Sequence, residues 1–285
     1  MGSTNRKMYQ GKQLLIATKH EKEQVIAPIL EKELGVKCFV ASNFDTDQLG
    51  TFTGEVERKD DPITTARNKC LLAMELADCD LGLASEGSFG PHPSIYFVPA
   101  DDEFLIFIDK KNKLEIVVRE LSLETNFNGA EIKTEKELSA FAKHAKFPSH
   151  ALIIRKAKDD FSTIVKGITD SKNLLETFNQ FISSNGKAYV ETDMRAMFNP
   201  TRMKVIEEAT QKLAAKIKCL CPKCSAPGFG ITDTKSGLRC GLCNYPTRST
   251  LSYVYLCQQC NYAEEQNFPN GKVVEDPMYC DICNP

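Results

Sequence analysis

Two rhythms of apolar and polar positions alternate along the first 200 residues. Leu14 to Ala17 is a short apolar run, and after the polar Thr18, Lys19 and His20 the apolar positions fall at Val25, Ile26, Ile29, Leu30 and Leu34, closed by Gly35. The first reads as a buried strand and the second as an amphipathic helix ended by glycine, with a kink expected at Pro28. Val36 to Ala41 predicts a second strand, and the polar stretch 42–60 a loop or short hairpin. Asp61 and Pro62 form an N-cap and N1 pair ahead of Ile63, Ala66, Cys70, Leu71, Met74 and Ala77 at helical spacing. Leu81 to Ala84 predicts a strand running into a turn over Ser85 to Pro91. Phe104 to Ile108 and Leu114 to Val118 flank a polar turn as a hairpin.

Further along, Thr134 and Glu137 make a capping box for a helix to about Ala145. Ala151 to Arg155 predicts a strand, Asp170 to Ser184 a helix closed near Gly186, and Lys187 to Glu191 another strand. Asn199 and Pro200 open a helix to about Lys218. The expected fold is therefore α/β, a mixed sheet with flanking helices, followed by a small cysteine-rich region. The expected domains are 13–195, a connecting helix at 199–218, and 219–285.

The last region declares itself by composition. Nine of the 12 cysteines lie there, eight of them as Cys221-x2-Cys224, Cys240-x2-Cys243, Cys257-x2-Cys260 and Cys280-x2-Cys283. Each half has the spacing of a four-cysteine zinc ribbon, so two structural Zn²⁺ ions are expected. Consecutive pairing in tandem is favoured over a cross-brace joining first to third and second to fourth. Few large aliphatic residues occur here, and metal binding would supply the folding free energy.

With 36 Lys plus Arg against 38 Asp plus Glu, the chain is close to neutral. The ribbon region has five basic and six acidic residues, a poor footprint for phosphate backbone, so a nucleic-acid partner is not expected. No run approaches the ~18 apolar residues of a membrane span, and the polar start lacks a secretory h-region, which makes the cytoplasm the default compartment. Oligomeric state is left open.

Candidate chemistry gathers in the first domain. Thr18, Lys19 and Lys22 follow the first strand and open a helix, a placement suited to anions. Glu86 sits in a glycine-containing stretch, where a carboxylate could hold Mg²⁺. Glu55 and Glu57 alternate on one strand face, and Asp80 precedes the strand at 81, so both sites could add carboxylates. His92, between Pro91 and Pro93, is a candidate acid or base. Arg195 and Arg202 could supply forks for phosphate. No convincing nucleophile triad is present.

Three segments taken together, Ala17-Thr18-Lys19-His20-Glu21-Lys22, Thr65-Ala66-Arg67-Asn68-Lys69-Cys70 and Asp80-Leu81-Gly82-Leu83-Ala84-Ser85-Glu86-Gly87, resemble in order and spacing the motifs of the inosine/xanthosine triphosphatase family. The resemblance covers roughly residues 13–120. It implies that Thr18 and Lys22 contact phosphate, that Asn68 and Lys69 line a nucleotide site, and that Glu86 helps hold Mg²⁺. The chain departs from the family pattern at Lys19 and Ser88. The whole chain, with Thr192 to Arg195 and Asn199 to Arg202 ahead of the cysteines, also resembles an uncharacterised bacterial family of unknown function. The expected activity is Mg²⁺-dependent hydrolysis of nucleoside triphosphates or related phosphate-containing small molecules. The alternative is a non-catalytic binding protein whose ribbons grip a protein or an RNA.

Overall fold

The computed structural model describes residues 8–18, 20–41 and 61–285. The chain divides into two compact units, one extending to Ala214 and one from Ala215 to Pro285.

The first unit opens with β1 (Gln13–Ala17), α1 (Glu23–Leu34) and β2 (Lys37–Phe39). Gly35 closes α1 in the left-handed region at φ 73°, a conformation glycine adopts without a Cβ penalty. Pro28 sits inside α1, and the helix runs through it as one element rather than breaking there. Next come α2 (Pro62–Leu76), capped by Asp61, then β3 (Leu81–Pro91), β4 (Pro99–Asp109) and β5 (Leu114–Ser122). The five strands lie in the order β2-β1-β3-β4-β5, with β1 parallel to β2 and β3, and the rest antiparallel. This is the mixed sheet with flanking helices that the periodicity predicts.

Because β2 and β3 lie on opposite sides of β1, right-handed crossovers put α1 and α2 on opposite faces of the sheet. On the α2 face, Ala66, Cys70, Ala73 and Met74 pack with Leu15, Ala17, Ala84 and Ile106. A Cβ at Gly82 would stand 2.7 Å from Cys70 Sγ, so glycine sets the helix-to-strand distance there. The alternate residues Leu83, Leu105 and Phe107 are fully buried on the other face.

One expectation fails at the carboxyl end of β3. The stretch Ser85 to Pro91 is not a turn: it continues the strand, pairing with β4 from Leu81↔Asp109 to Pro91↔Pro99. The extra ladder satisfies backbone groups that a turn would leave to solvent, and β4 correspondingly begins at Pro99 rather than Phe104.

A second, antiparallel sheet has the order β6-β9-β7-β8, from β6 (Gly129–Ile132), β7 (Leu152–Arg155), β8 (Ile164–Ile168) and β9 (Ala188–Thr192). The helices α3 (Glu135–His144) and α4 (Ser171–Asn185) cover one face through Leu138, Phe141, Leu174, Phe178 and Phe181. Thr134 and Glu137 form the full capping box on α3.

The last helix, α5 (Pro200–Lys218), links this sheet to the first one. Asn199 caps it, its Oδ1 accepting from Arg202 N at 3.0 Å, while its Nδ2 donates to Asn126 Oδ1 at 2.8 Å. Along α5, Val205, Ile206, Ala209 and Leu213 are buried, and Lys212 Nζ reaches Glu120 of β5 at 2.5 Å. The helix thus lies on the face of the first sheet opposite α2.

The second unit holds an antiparallel meander, β10 (Gly230–Ser236), β11 (Thr250–Leu256) and β12 (Ala263–Asn267). Phe229 packs on Tyr255 and Tyr262 at 5.7 and 5.9 Å between ring centroids, but few other apolar side chains are enclosed. Among the described residues, no helix is long and apolar enough to cross a membrane.

Candidate functional site

In an open α/β sheet the crevice beyond the strand ends, where successive crossovers part, is where ligands gather. Here that point is the carboxyl end of β1 beside the long β3. Ala17 is the last residue of β1 to pair, opposite Ala84, so Ser85 and Glu86 emerge next to Thr18 and Lys22. Lys22, at the start of α1, is almost fully buried and donates from Nζ to Ser85 Oγ at 2.8 Å. Lys69, from α2, pairs with Glu86 on the other face of β3; both are buried.

On the Ser85 face, β3 and β4 place Gly87 opposite Glu103 and Phe89 opposite Asp101. Arg202 of α5 enters there. Its Nε donates to Glu103 Oε1 at 2.6 Å, its Nη1 to Met194 O at 2.6 Å, and its guanidinium lies 5.1 Å over the Phe89 ring. A Cβ on Gly87 would overlap Glu103 Oε1 and stand 2.6 Å from Arg202 Nη2, so only glycine leaves room for the pair.

Six charged side chains therefore lie out of water beyond the carboxyl end of β1, on the two faces of β3: Lys22, Lys69 and Arg202 with Glu86, Asp101 and Glu103. Charges in such a place pay for desolvation unless paired. Burial, with Arg202 next, pushes Lys22 down to about 7. Burial, with the Glu103 carboxylate next, pushes Asp101 up to about 8, against the pull of Arg202 and Lys22. Buried titratable groups moved toward neutrality in this way are candidates for a functional site.

Of the residues expected from sequence, Thr18, Lys22, Lys69, Glu86 and Arg202 are brought together. Four others are not. Asn68 is exposed on the outer side of α2. Asp80 is exposed at the amino end of β3, six residues and roughly 20 Å of strand from Glu86, and the two cannot share an ion. Arg195 is committed to Asp193, through Nε at 3.0 Å and Nη2 at 2.6 Å, and stacks 4.6 Å over Phe198. His92 caps its own loop, Nδ1 accepting from Ser94 N and Ile95 N at 3.1 Å each. Lys19, Glu55 and Glu57 lie outside the described residues. Asp101 and Glu103 went unread, although they keep the parity of the buried Leu105 and Phe107, and acids in phase with a core are a signal.

The cysteines form two groups, and their membership corrects the tandem expectation. Cys221, Cys224, Cys257 and Cys260 make one; Cys240, Cys243, Cys280 and Cys283 the other. The first pair joins the third and the second the fourth. The reason is the meander: each strand carries the chain to the opposite end of the sheet, so successive pairs alternate ends. Each pair turns alike, with Cys221 O accepting from Ser225 N at 2.9 Å and Cys240 O from Asn244 N at 3.0 Å. Asn244 and Asn261, after the second and third pairs, take left-handed φ of 60° and 56°, which asparagine tolerates.

Sγ atoms stand 3.7 Å apart in Cys221–Cys260, 3.6 Å in Cys224–Cys257, 3.8 Å in Cys240–Cys283 and 3.5 Å in Cys243–Cys280. A tetrahedron of thiolates ~2.3 Å from zinc has edges of about 3.8 Å, whereas a disulfide needs about 2.05 Å. The donors and spacing fit two structural zinc ions. Cys219, exposed, belongs to neither group.

Residues 69–285 match the model of a domain of unknown function, DUF6671. The chain belongs to the DUF6671 family. The match takes in Lys69, Glu86, Asp101, Glu103, Arg202 and all eight ligand cysteines, and begins after Thr18 and Lys22. Membership of an uncharacterised family agrees with the resemblance seen around residues 192–202. Among solved structures, protein VC0702 from Vibrio cholerae is similar over 72% of this DUF6671 chain and 93% of its own length, at 9% identity and a TM-score of 0.35. No curated protein matches the chain.

Proposed function

We propose that the DUF6671 chain hydrolyses a phosphoanhydride bond of a nucleoside triphosphate, or of a related phosphate-containing small molecule, with Mg²⁺ as cofactor. The observation that carries this reading is the convergence of Lys22, Lys69 and Arg202 with Glu86, Asp101 and Glu103 at the carboxyl end of β1. The segments at 17–22, 65–70 and 80–87 that resemble the inosine/xanthosine triphosphatases contribute three of these six residues, Lys22, Lys69 and Glu86, which favours a nucleotide.

Phosphoryl transfer asks a protein mainly for position and charge, and the crevice offers both. Water forms a bond to phosphorus, the bridging P–O bond breaks with its electron pair left on the departing phosphate, and one proton of the water passes to solvent. Lys22, fixed on Ser85, and Lys69 would orient the phosphate chain. When bound, Mg²⁺ would neutralise charge on the non-bridging oxygens.

The test is release of phosphate and of pyrophosphate from a panel of nucleoside triphosphates, inosine and xanthosine forms included, with and without Mg²⁺. Wild type is compared with Lys69→Met and Lys22→Met. Mg²⁺-dependent turnover, reduced at least a hundredfold in both variants, is expected. Silence across the panel from folded protein carrying two zinc ions would overturn the reading.

A second reading, a binding protein for a protein partner, has its own support. Leu242 and Ile282, within the pairs of the second cysteine group, and nearby Val274, Met278 and Tyr279 are all more than half exposed. The pairs of the first group instead carry Pro222-Lys223 and Gln258-Gln259.

A further inference from the structure

The crevice holds carboxylate oxygens that its own cations do not engage. Asp101 and Glu103 are two residues apart on β4 and leave the same face of the strand, at 1% and 0% exposure. Both oxygens of Asp101 and the Oε2 of Glu103 accept no hydrogen bond among the described residues, and the nine-tenths-buried Thr18 Oγ1 is likewise without a partner. Glu86 is placed differently: it leaves the opposite face of β3 and is neutralised by Lys69.

Carboxylate oxygens out of water need a donor or a cation. We infer that Asp101 and Glu103, through Oε2, form a divalent-cation site in the crevice, and that this pair rather than Glu86 holds the Mg²⁺ of the proposed hydrolase. The inference rests on that reading for its substrate but not for its geometry. Mg²⁺ is commonly held by one or two carboxylates together with substrate phosphates, and two carboxylates are what β4 presents. Lys22 and Arg202 stand on the same face. Their charge opposes a bare cation and attracts a phosphate, so cation and phosphate should bind each other's complexes more tightly than the empty crevice.

Mn²⁺ is the probe, followed by loss of the free-ion paramagnetic resonance signal on the full, zinc-loaded chain, alone and with inorganic tripolyphosphate. The variants are Asp101→Asn, which keeps the shape of the side chain, Asp101→Ala, and Glu86→Gln, each checked for fold by circular dichroism. One Mn²⁺ per chain is expected beyond the zinc, tighter with tripolyphosphate. Its affinity should fall at least tenfold in both Asp101 variants and less than threefold in Glu86→Gln. Loss in Glu86→Gln with retention in the Asp101 variants, or no Mn²⁺ binding by wild type under either condition, would overturn the site. Turnover without an Asp101-dependent ion would sink this inference alone, and an Asp101-dependent ion without turnover would sink the hydrolase reading alone.

Discussion

Arg202 and Glu103, 99 positions apart in sequence, meet at 2.6 Å with neither side chain exposed to solvent. The pair spans two elements that nothing local brings together: the amino end of α5 and the middle of β4. Asn199 holds the second sheet's side through Asn126 and caps α5, and Arg202 follows three residues later. The second sheet is in this sense the mount that positions a cation over the crevice of the first.

Removing one partner of such a pair strands the other charge, which costs more than removing both. Arg202→Met should therefore destabilise the α/β unit by roughly 3–5 kcal/mol, and Arg202→Met combined with Glu103→Leu should recover more than half of that. Urea unfolding of the full chain, followed by far-ultraviolet circular dichroism with zinc retained, completes the double-mutant cycle. Additive losses would mean that the two side chains do not act as a pair.

Gly87 gives a finer probe of the same place. Gly87→Ala puts a methyl into the space of Glu103 Oε1 and against Arg202 Nη2, whereas a methyl added at Gly90, three residues on in the same strand, would meet nothing within 4 Å. Overpacking in a filled interior costs about 1–3 kcal/mol. Gly87→Ala should lose that much and Gly90→Ala less than about 0.5 kcal/mol, the usual range for a surface change. Equal urea midpoints for the two would remove the argument that glycine is required under the ion pair.

Much of this arrangement could be read from sequence because local rules dominate where an element begins or ends. Asp61 before Pro62, the Thr134 and Glu137 box, Gly35, and Asn199 before Pro200 all cap the helices they predict. What escaped depends on partners far along the chain. Ser85 to Pro91 looks like a turn by its glycines and prolines, and becomes a strand only because β4 pairs with all of it. Asp101 and Glu103 look like surface acids until α5 covers them. The cysteine spacing names the ligands but not their grouping, which follows from strand direction in the meander.

That grouping makes a stoichiometric prediction. Cys224→Ser and Cys257→Ser should each cost one zinc by native mass spectrometry, and the double variant should still cost one, since both belong to the same group. Cys224→Ser with Cys243→Ser should cost two. Consecutive pairing would give the reverse pattern for the doubles. Because thiolate ligation supplies folding free energy to a region with so little enclosed apolar surface, chelation should unfold residues 215–285 and leave the α/β unit intact. Loss of all cooperative structure on chelation would contradict the independence of the two units.

The amino end of α5 also gives the fold a pH dependence. His150 Nε2 accepts from Thr201 N at 3.2 Å and lies 2.9 Å from Thr201 Oγ1, while Nδ1 lies 3.0 Å from Ser149 Oγ. Burial first, then the nearby Lys146 ammonium, holds His150 below the usual histidine range. The positive end of the helix acts in the same direction. The folded state therefore releases this proton before the unfolded state does. Below the ordinary value of about 6.5 the unfolded chain binds more protons, so stability falls as pH drops from there through the lowered folded value. Protonated Nε2 can no longer accept from Thr201 N, and the turn that carries Arg202 loosens. The urea midpoint of wild type should fall between pH 7 and pH 5 by more than that of His150→Gln, whose amide oxygen can accept from Thr201 without titrating. Parallel pH profiles for the two proteins would show that His150 does not couple protonation to the seating of α5.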